Sequence, residues 1–133
     1  MPQTMQQTTA SRASRSEQLH GTLRALHSGS PDIEASAIIS ADGLIIASSL
    51  PRDIEEIRVG GVCAALLNLG TRVASEISLG EMQQVLIRGE NGYVVMVSAA
   101  EGTMLLCSTT SSAKLGLLFL DMNRAVEEIC NIL

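Results

Sequence analysis

The residues best suited to chemistry in this sequence are two histidines and three cysteines, and their spacing does not assemble a site. His20 and His27 lie seven residues apart on one helical face, without a carboxylate or cysteine in ligand register. We interpret both as surface or helix-packing residues, and a metal or catalytic role is the less favoured alternative. Cys63, Cys107 and Cys130 are widely spaced and odd in number, which fits neither a zinc site nor a secreted disulfide framework. Each lies in an apolar run, so we predict buried free thiols in a reducing, cytoplasmic compartment.

Catalytic motifs are also missing from the sequence. No serine lies in a Gly-x-Ser-x-Gly elbow, and no glycine-rich segment ends in Lys followed by Ser or Thr, as a phosphate-binding loop does. Glu55 and Glu56 fit charges at the positive end of a helix better than an acid/base pair. We therefore predict no enzyme, no cofactor and no metal site; at most the protein regulates the activity of a partner.

Composition narrows the remaining function classes. The chain has 133 residues and a mass of 14.0 kDa, which suits one domain with a real core. Its net charge is −5, its aromatic content is 2%, and Lys114 is its only lysine. These values argue against nucleic-acid binding, which needs clustered cations and stacking aromatics. No uninterrupted apolar run approaches the ~18 residues of a membrane span, and we see no apolar signal segment at the N-terminus.

The beginning of the chain divides into a polar segment and a short helix. Residues 1–13 are mainly Gln, Thr and Ser, which predicts a disordered tail before a domain at 14–133. Ser14 followed by Glu17 has the spacing of a capping box. The helix that follows should end at Gly29 and bury three leucines, Leu19, Leu23 and Leu26.

Five short runs rich in β-branched residues predict strands. Ala35–Ser40 and Leu44–Ser49 flank an Asp-Gly turn, which indicates a hairpin. Three later runs separated by glycine-containing turns predict an antiparallel meander: Met82–Arg88, Tyr93–Ser98 and Met104–Thr109. The first of these three is the most polar and is the predicted edge strand, whereas the second should be covered on both faces.

Asp53–Ser78 predicts a long central helix with Asp53 as its N-cap. At helical spacing it carries two apolar stripes. The bulky stripe contains Val59, Val62, Leu66, Leu69, Val73 and Ile77. The small stripe contains Gly60, Cys63, Ala64, Leu67, Thr71 and Ala74. We predict that the bulky stripe covers the sheet and that the small stripe allows a second molecule to approach closely.

A final helix should begin after Thr110, Ser111 and Ser112, which supply N-cap chemistry, and should run to about Ile132. Its predicted buried stripe contains Leu115, Leu118, Met122, Val126, Ile129 and Leu133. Leu117 and Leu120 lie off this stripe. We favour their coverage by the first helix, and a partner surface is the alternative.

The predicted fold is therefore α+β: a five-stranded antiparallel sheet with the long central helix on one face and the N- and C-terminal helices on the other. This order of elements resembles the Roadblock or dynein light chain domain, a profilin-like α/β sandwich, and within it the MglB-like regulators of Ras-type GTPases. The resemblance rests on two segments. The first is Pro31–Ser40, which continues through Asp42-Gly43 into Leu44–Ser49, and the second is Gly92–Val97. The resemblance covers about Ser16–Ile132.

The resemblance implies a homodimer in which central helices pack together and third strands pair across a two-fold axis. Carried onto this sequence, it assigns the helix contact to the small stripe and the strand contact to Gln84, Leu86 and Arg88. It also implies a cytoplasmic signalling role in which the dimer binds a Ras-like small GTPase. Candidate GTPase contacts are the polar residues of the central helix, Arg58, Asn68, Arg72 and Glu76, although a solvated polar face explains them equally well. Two alternatives remain: a structural adaptor of dynein-light-chain type without effect on GTP hydrolysis, and a small-molecule sensor domain.

Overall fold

The computed structural model describes residues 2–133, with side chains from residue 14 onward. Its helices are α1 (Pro2–Gly29), α2 (Glu56–Glu76) and α3 (Leu115–Ile132), and its strands are β1 (Ile33–Ser40), β2 (Ile45–Ser49), β3 (Gln84–Gly89), β4 (Gly92–Ser98) and β5 (Thr103–Thr110). The side chains of the expected tail, residues 1–13, lie outside the described part, and its disorder stays a prediction. Ser14 lies within α1 rather than at its N-cap, because no proline or glycine interrupts the chain between Pro2 and Gly21.

The five strands form one antiparallel sheet in the order β2-β1-β5-β4-β3, which confirms the predicted hairpin and meander. Gly43 in the β1–β2 turn has φ +93, a conformation that glycine adopts without strain. β1 and β5 pair at the centre of the sheet, since β5 returns to lie beside β1. As predicted, β3 lies at an edge.

One face of the sheet is covered by α1 and α3. Leu19, Leu23 and Leu26 are all buried in this core, as the sequence predicts. From α3 the buried residues are Leu118, Met122, Ala125 and Ile129, and from the strands they include Ile38, Val95, Leu105 and Cys107. Leu115 and Val126 are partly buried, and Leu133 is exposed. The predicted stripe is therefore right at its centre and wrong at its C-terminal end.

The opposite face of the sheet packs against α2 in a second, smaller core. Its buried residues are Ala37, Ile39, Cys63, Met96, Met104 and Leu106. Most of this bulk comes from the strands rather than from the helix. The predicted two-sided arrangement of helices is therefore confirmed, with α2 alone on its face.

Two predicted N-caps are wrong. Asp53 lies in a turn in which the Ile54 N–H donates to the Pro51 carbonyl at 3.1 Å, so α2 begins later, with Glu55 at its N-cap. Thr110 still belongs to β5, and its hydroxyl donates to Asp32 Oδ1 at 3.2 Å. α3 therefore begins after Lys114, and neither helix has a side-chain cap at its N-cap position. At α2 a turn holds Asp53 before the helix start, and at α3 the strand pairing and the bond to Asp32 hold Thr110 away from the helix start.

Leu117 and Leu120 of α3 are 58% and 50% exposed. The favoured interpretation, that α1 covers them, is wrong, because α1 packs along the flank of α3 that carries Leu118 and Met122. Their exposure leaves the partner-surface alternative open.

Candidate protein-interaction surface

A close backbone approach fixes the position of α2 on the sheet. Gly60 is buried, and a Cβ atom there would overlap the carbonyl oxygen of Gly43 in the β1–β2 turn. A Cβ at Gly43 would in turn lie 3.5 Å from the Cβ of Ala64. Further along the helix, a Cβ at Gly70 would lie 3.4 Å from Val85 Cγ2, at the beginning of β3. α2 therefore crosses one end of the sheet, from the β1–β2 turn to the beginning of β3.

This approach reverses the predicted roles of the two stripes of α2. Gly60, Cys63 and Ala74 of the small stripe are buried within the protomer, and Ala64 and Leu67 are half-buried. Only Thr71 is exposed, and its hydroxyl donates to the carbonyl of Leu67 at 2.8 Å. The small stripe is thus a packing surface within the protomer, because small residues let the helix backbone reach the turn. Gly60, Cys63 and Ala74 are therefore not free to contact a second subunit, whereas the predicted contact of Ala64, Leu67 and Thr71 with a second subunit stays a prediction.

The bulky stripe faces outward instead. Val62 is 62% exposed, Val73 is 54% exposed, and Leu69 and Ile77 are similarly open. We call these four residues the α2 apolar band. Val59 and Leu66 are the only members of the predicted stripe that pack against the core, and they do so partly. The prediction that the whole stripe covers the sheet is therefore wrong.

An apolar groove lies beside this band, where α2 leaves the far end of the sheet uncovered. Its volume is about 400 Å³. The lining residues are Ala35, Leu50, Ile54, Arg58, Val59, Val62, Cys63, Leu66, Ile87, Val94, Met96, Leu106 and Ser108. Val62 belongs both to the groove and to the α2 apolar band, so the two form one continuous surface. Sequence reasoning missed this groove, because periodicity does not reveal how far a helix extends across a sheet.

The free edge of β3 borders the same surface. Gln84, Leu86 and Arg88 are all exposed on this strand, together with Ile87. β3 pairs with β4 on one side only, so its other side presents unpaired backbone groups within residues 2–133. The predicted position of these three residues on an edge strand is confirmed, and their contact with a second subunit stays a prediction.

Of the four candidate GTPase contacts, Asn68, Arg72 and Glu76 lie on the side of α2 that faces away from the sheet, whereas Arg58 lines the groove. Arg58, Asn68, Arg72 and Glu76 are all exposed. Arg58 Nε lies 3.7 Å from Glu55 Oε2, and both side chains are largely solvated, so this pair contributes little to stability. All four side chains are accessible on the protomer, and their role in binding a GTPase stays a prediction.

The histidines and cysteines, which are the residues best suited to chemistry, lie apart from this surface, except for Cys63. His27 Nε2 lies 2.8 Å from Ser36 Oγ in the α1 layer, and burial lowers the pKa of His27. Burial raises the pKa of the Cys63 thiol and raises that of Cys107 to about 12. Cys130 is exposed, contrary to the prediction that all three thiols are buried. Among the described side chains, no group of three or more His, Cys, Asp or Glu residues could hold a metal ion.

Glu55 and Glu56 lie at the beginning of α2, as predicted. Glu55 forms the N-cap residue, and Glu56 Oε1 accepts a hydrogen bond from the Ser48 hydroxyl at 2.6 Å. This contact ties the helix start to β2.

By length and composition alone, α2 is the one helix within residues 2–133 that could cross a membrane. The evidence is weak, since the core helix of a globular protein passes the same test. Its exposed apolar band and low burial account for the result equally well.

Comparison with known proteins identifies the domain. The sequence profile of the Roadblock/LC7 domain matches residues 20–109. An uncharacterized protein of Methanocaldococcus jannaschii, MJ1340, is 39% identical over 97 residues, covering 73% of this chain and 84% of that protein. A second uncharacterized protein of the same organism, MJ0310, is 38% identical with the same coverage.

Solved structures agree with the sequence profile. MglB of Myxococcus xanthus superposes with a TM-score of 0.82 over 88% of each chain, at 16% identity. The gliding protein MglB of Thermus thermophilus gives a TM-score of 0.80 at 18% identity, covering 89% of this chain and 90% of that one. A profilin of Schizosaccharomyces pombe gives 0.56 at 13% identity, covering 77% of this chain and 88% of that one, in keeping with the profilin-like layering. At these identities the likeness concerns the fold, while the profile and the relatives show that the chain belongs to the Roadblock/LC7 family.

Proposed function

We propose that this protein is a non-enzymatic homodimeric platform that binds a Ras-like small GTPase. The observation that carries the proposal is the continuous apolar surface formed by the α2 apolar band, the groove and the free edge of β3. Exposed apolar areas of this extent mark interaction sites in soluble proteins. Membership of the Roadblock/LC7 family supports a regulatory or adaptor role, and the resemblance to MglB-like regulators supports a GTPase as the partner.

The proposed dimer follows from the symmetry of an edge strand. When two copies of β3 pair around a two-fold axis, the strands run antiparallel. The beginning of one β3 then lies beside the end of the other. Because the C-terminal half of α2 lies over the beginning of its own β3, the second copy's α2 would come to lie over the groove near Ile87. Val73 and Ile77 of the second copy are then the side chains that would fill the groove.

This arrangement accounts for several features of the isolated protomer. It covers the α2 apolar band, and each fully buried Val, Leu or Ile side chain contributes about 1.5–3 kcal/mol. It pairs the free backbone of β3 through Gln84, Leu86 and Arg88. In this arrangement the α2 helices of the two subunits meet through the α2 apolar band rather than through the small stripe. This agrees with the burial of Gly60 within the protomer.

Three of the candidate GTPase contacts would stay accessible in such a dimer. Asn68, Arg72 and Glu76 lie on the outer side of α2, so two copies would present both sets on the same face of the joined sheet, whereas Arg58 lines the groove that the second copy fills. Arg72 on each helix offers charge-assisted hydrogen bonds to an acidic or phosphate-bearing surface. The polar face would thus orient the bound GTPase, while the apolar surface would form the contact between the two subunits.

The GTPase proposal is tested by measuring binding of purified Ras-like GTPases from the same organism, loaded with GDP or with a non-hydrolysable GTP analogue. We expect binding to at least one nucleotide state. Reversing charge in Arg72→Glu should weaken binding at least tenfold, whereas the matched control Arg52→Glu, in the loop before α2, should bind as the wild type does. Absence of binding to any such GTPase in either state would overturn the proposal.

GTP hydrolysis rates separate a regulator from an adaptor. A hydrolysis rate that changes with saturating protein indicates regulation of the partner. An unchanged rate despite binding favours the structural adaptor.

The apolar groove is also consistent with the alternative of a small-molecule sensor. A rise in melting temperature on adding a ligand would favour the sensor. Cytoplasmic location stays a prediction from the cysteine pattern.

A further inference from the structure

A second exposed stripe runs along α3, on the opposite side of the sheet from α2. Leu117, Leu120, Arg124 and Glu127 follow one another at spacings of three and four residues, which places them on one face of the helix, and Ala113 lies just before its first turn. The two leucines at its centre are half exposed or more. A seam of this spacing is typical of helices that pair side by side.

The beginning of this stripe opens into a pocket with two carboxylates. The pocket has a volume of about 290 Å³ and lies between the end of α1, the beginning of β1 and the beginning of α3. Asp32 and Asp121 both line it, next to Ala113, Lys114 and Leu117, so two carboxylates face one lysine. Asp32 is held in place, since its carbonyl accepts the Thr110 N–H at 2.9 Å and its carboxylate accepts the Thr110 hydroxyl. Asp121 accepts a hydrogen bond from the Ser30 hydroxyl. The pocket therefore suits a cation carried beside an apolar side chain.

The same chain offers such a cation. Arg124 is exposed one turn after Leu120. Among the described side chains, the one ion pair joins Arg58 and Glu55, so the Arg124 guanidinium is available to a partner. When two α3 helices lie antiparallel with Leu117 of one against Leu120 of the other, Arg124 falls opposite Ala113, at the pocket that contains Asp32. The two-fold axis repeats this contact, and Lys114 then lies within one turn of Glu127 of the second copy.

We propose that α3 is a second self-association surface, on which two copies pair antiparallel through Leu117 and Leu120 and each inserts Arg124 into the Asp32 pocket of the other. In this self-paired arrangement the positive charge of Arg124 meets the carboxylate of Asp32. The proposal does not depend on the α2 surface or on a GTPase. A seam of two leucines buries little area, so the association is weak and depends on concentration.

Light scattering after gel filtration over a wide concentration range tests the proposal. The mass of the wild type should rise about twofold between low and high concentration, and Arg124→Glu or Leu120→Glu should abolish the rise. Arg52→Glu is the matched control, since it reverses the same charge in the loop between β2 and α2, and its mass should rise like that of the wild type. Val73→Arg, which alters only the α2 surface, should retain a twofold rise from its own lower starting mass.

A charge swap separates the ion pair from any folding defect. In Asp32→Arg combined with Arg124→Glu, the rise should return, because the pair is restored with reversed sign. A wild-type mass that stays constant with concentration, or an Arg124→Glu variant that behaves like the wild type, would overturn the proposal. A folded double variant without the rise would overturn the placement of Arg124 against Asp32.

Discussion

Gly60 in α2 lies directly against the carbonyl oxygen of Gly43 in the β1–β2 turn, with no space for a side chain between them. This contact decides which face of α2 meets the sheet. The bulky face is consequently turned outward, and the surface available to partners follows from it.

Replacing Gly60 by Ala should destabilise the fold by about 1–3 kcal/mol, because the added methyl group overlaps a backbone atom that cannot move aside cheaply. Gly61 is the matched control. A Cβ atom there meets nothing within 4 Å, so Gly61→Ala should stabilise the helix by up to about 1 kcal/mol. Urea unfolding measures both changes. Equal effects of the two substitutions would contradict the close approach.

Stability should fall in mildly acidic solution because of His27. Burial lowers the pKa of His27 in the folded protein below the 6.5 of the unfolded chain. The unfolded state therefore binds a proton first, so stability is fully present above pH 6.5 and is lost as the pH falls towards the lowered value.

The measurement is urea unfolding between about pH 8 and pH 5. His27→Gln keeps an amide that can bond Ser36 but does not titrate, so its loss of stability over this interval should be smaller. An identical decline in both proteins would show that other groups cause it.

The three thiols should differ in reactivity towards a maleimide reagent. Cys130 is exposed and should react quickly in the folded protein. Cys107 is buried and burial raises its pKa to about 12, so it should react only after unfolding; Cys63, whose pKa burial also raises, should react slowly. Mass spectrometry after a short exposure should show one modification, which Cys130→Ser removes. Rapid modification of Cys107 in the native protein would contradict its burial.

The sequence predicts the layers of this fold well, because its signals are local. The Asp-Gly turn at Gly43, the glycine turns of the meander and the leucine spacing of α1 each act within a few residues. The edge position of β3 also follows from its own polarity. These features recur in the structure, with shifts of a few residues at the ends of most elements and a much earlier start of α1.

The faces of α2 and the interaction surface could not be predicted in the same way. Both stripes of α2 are apolar, and periodicity does not say which one meets the sheet. The deciding contact joins Gly60 to Gly43, which belongs to another element and becomes a neighbour only in the fold. The predicted burial of Cys130 and Leu120 is wrong for a related reason. The apolar character of a helix segment does not show which of its residues another element covers.

The most direct test of the central claim is the solution mass of Val73→Arg against that of the wild type at low micromolar concentration, with Ser75→Arg as the control on the same helix. Both residues are exposed in the protomer, so neither change should impair folding. The solution masses of the wild type and of Ser75→Arg should be near twice 14.0 kDa. The mass of Val73→Arg should be near 14.0 kDa, because dimerisation would bury an unpaired charge at the subunit contact. A Val73→Arg protein that remains dimeric, or a monomeric wild type, would contradict the α2 apolar band as the dimer surface.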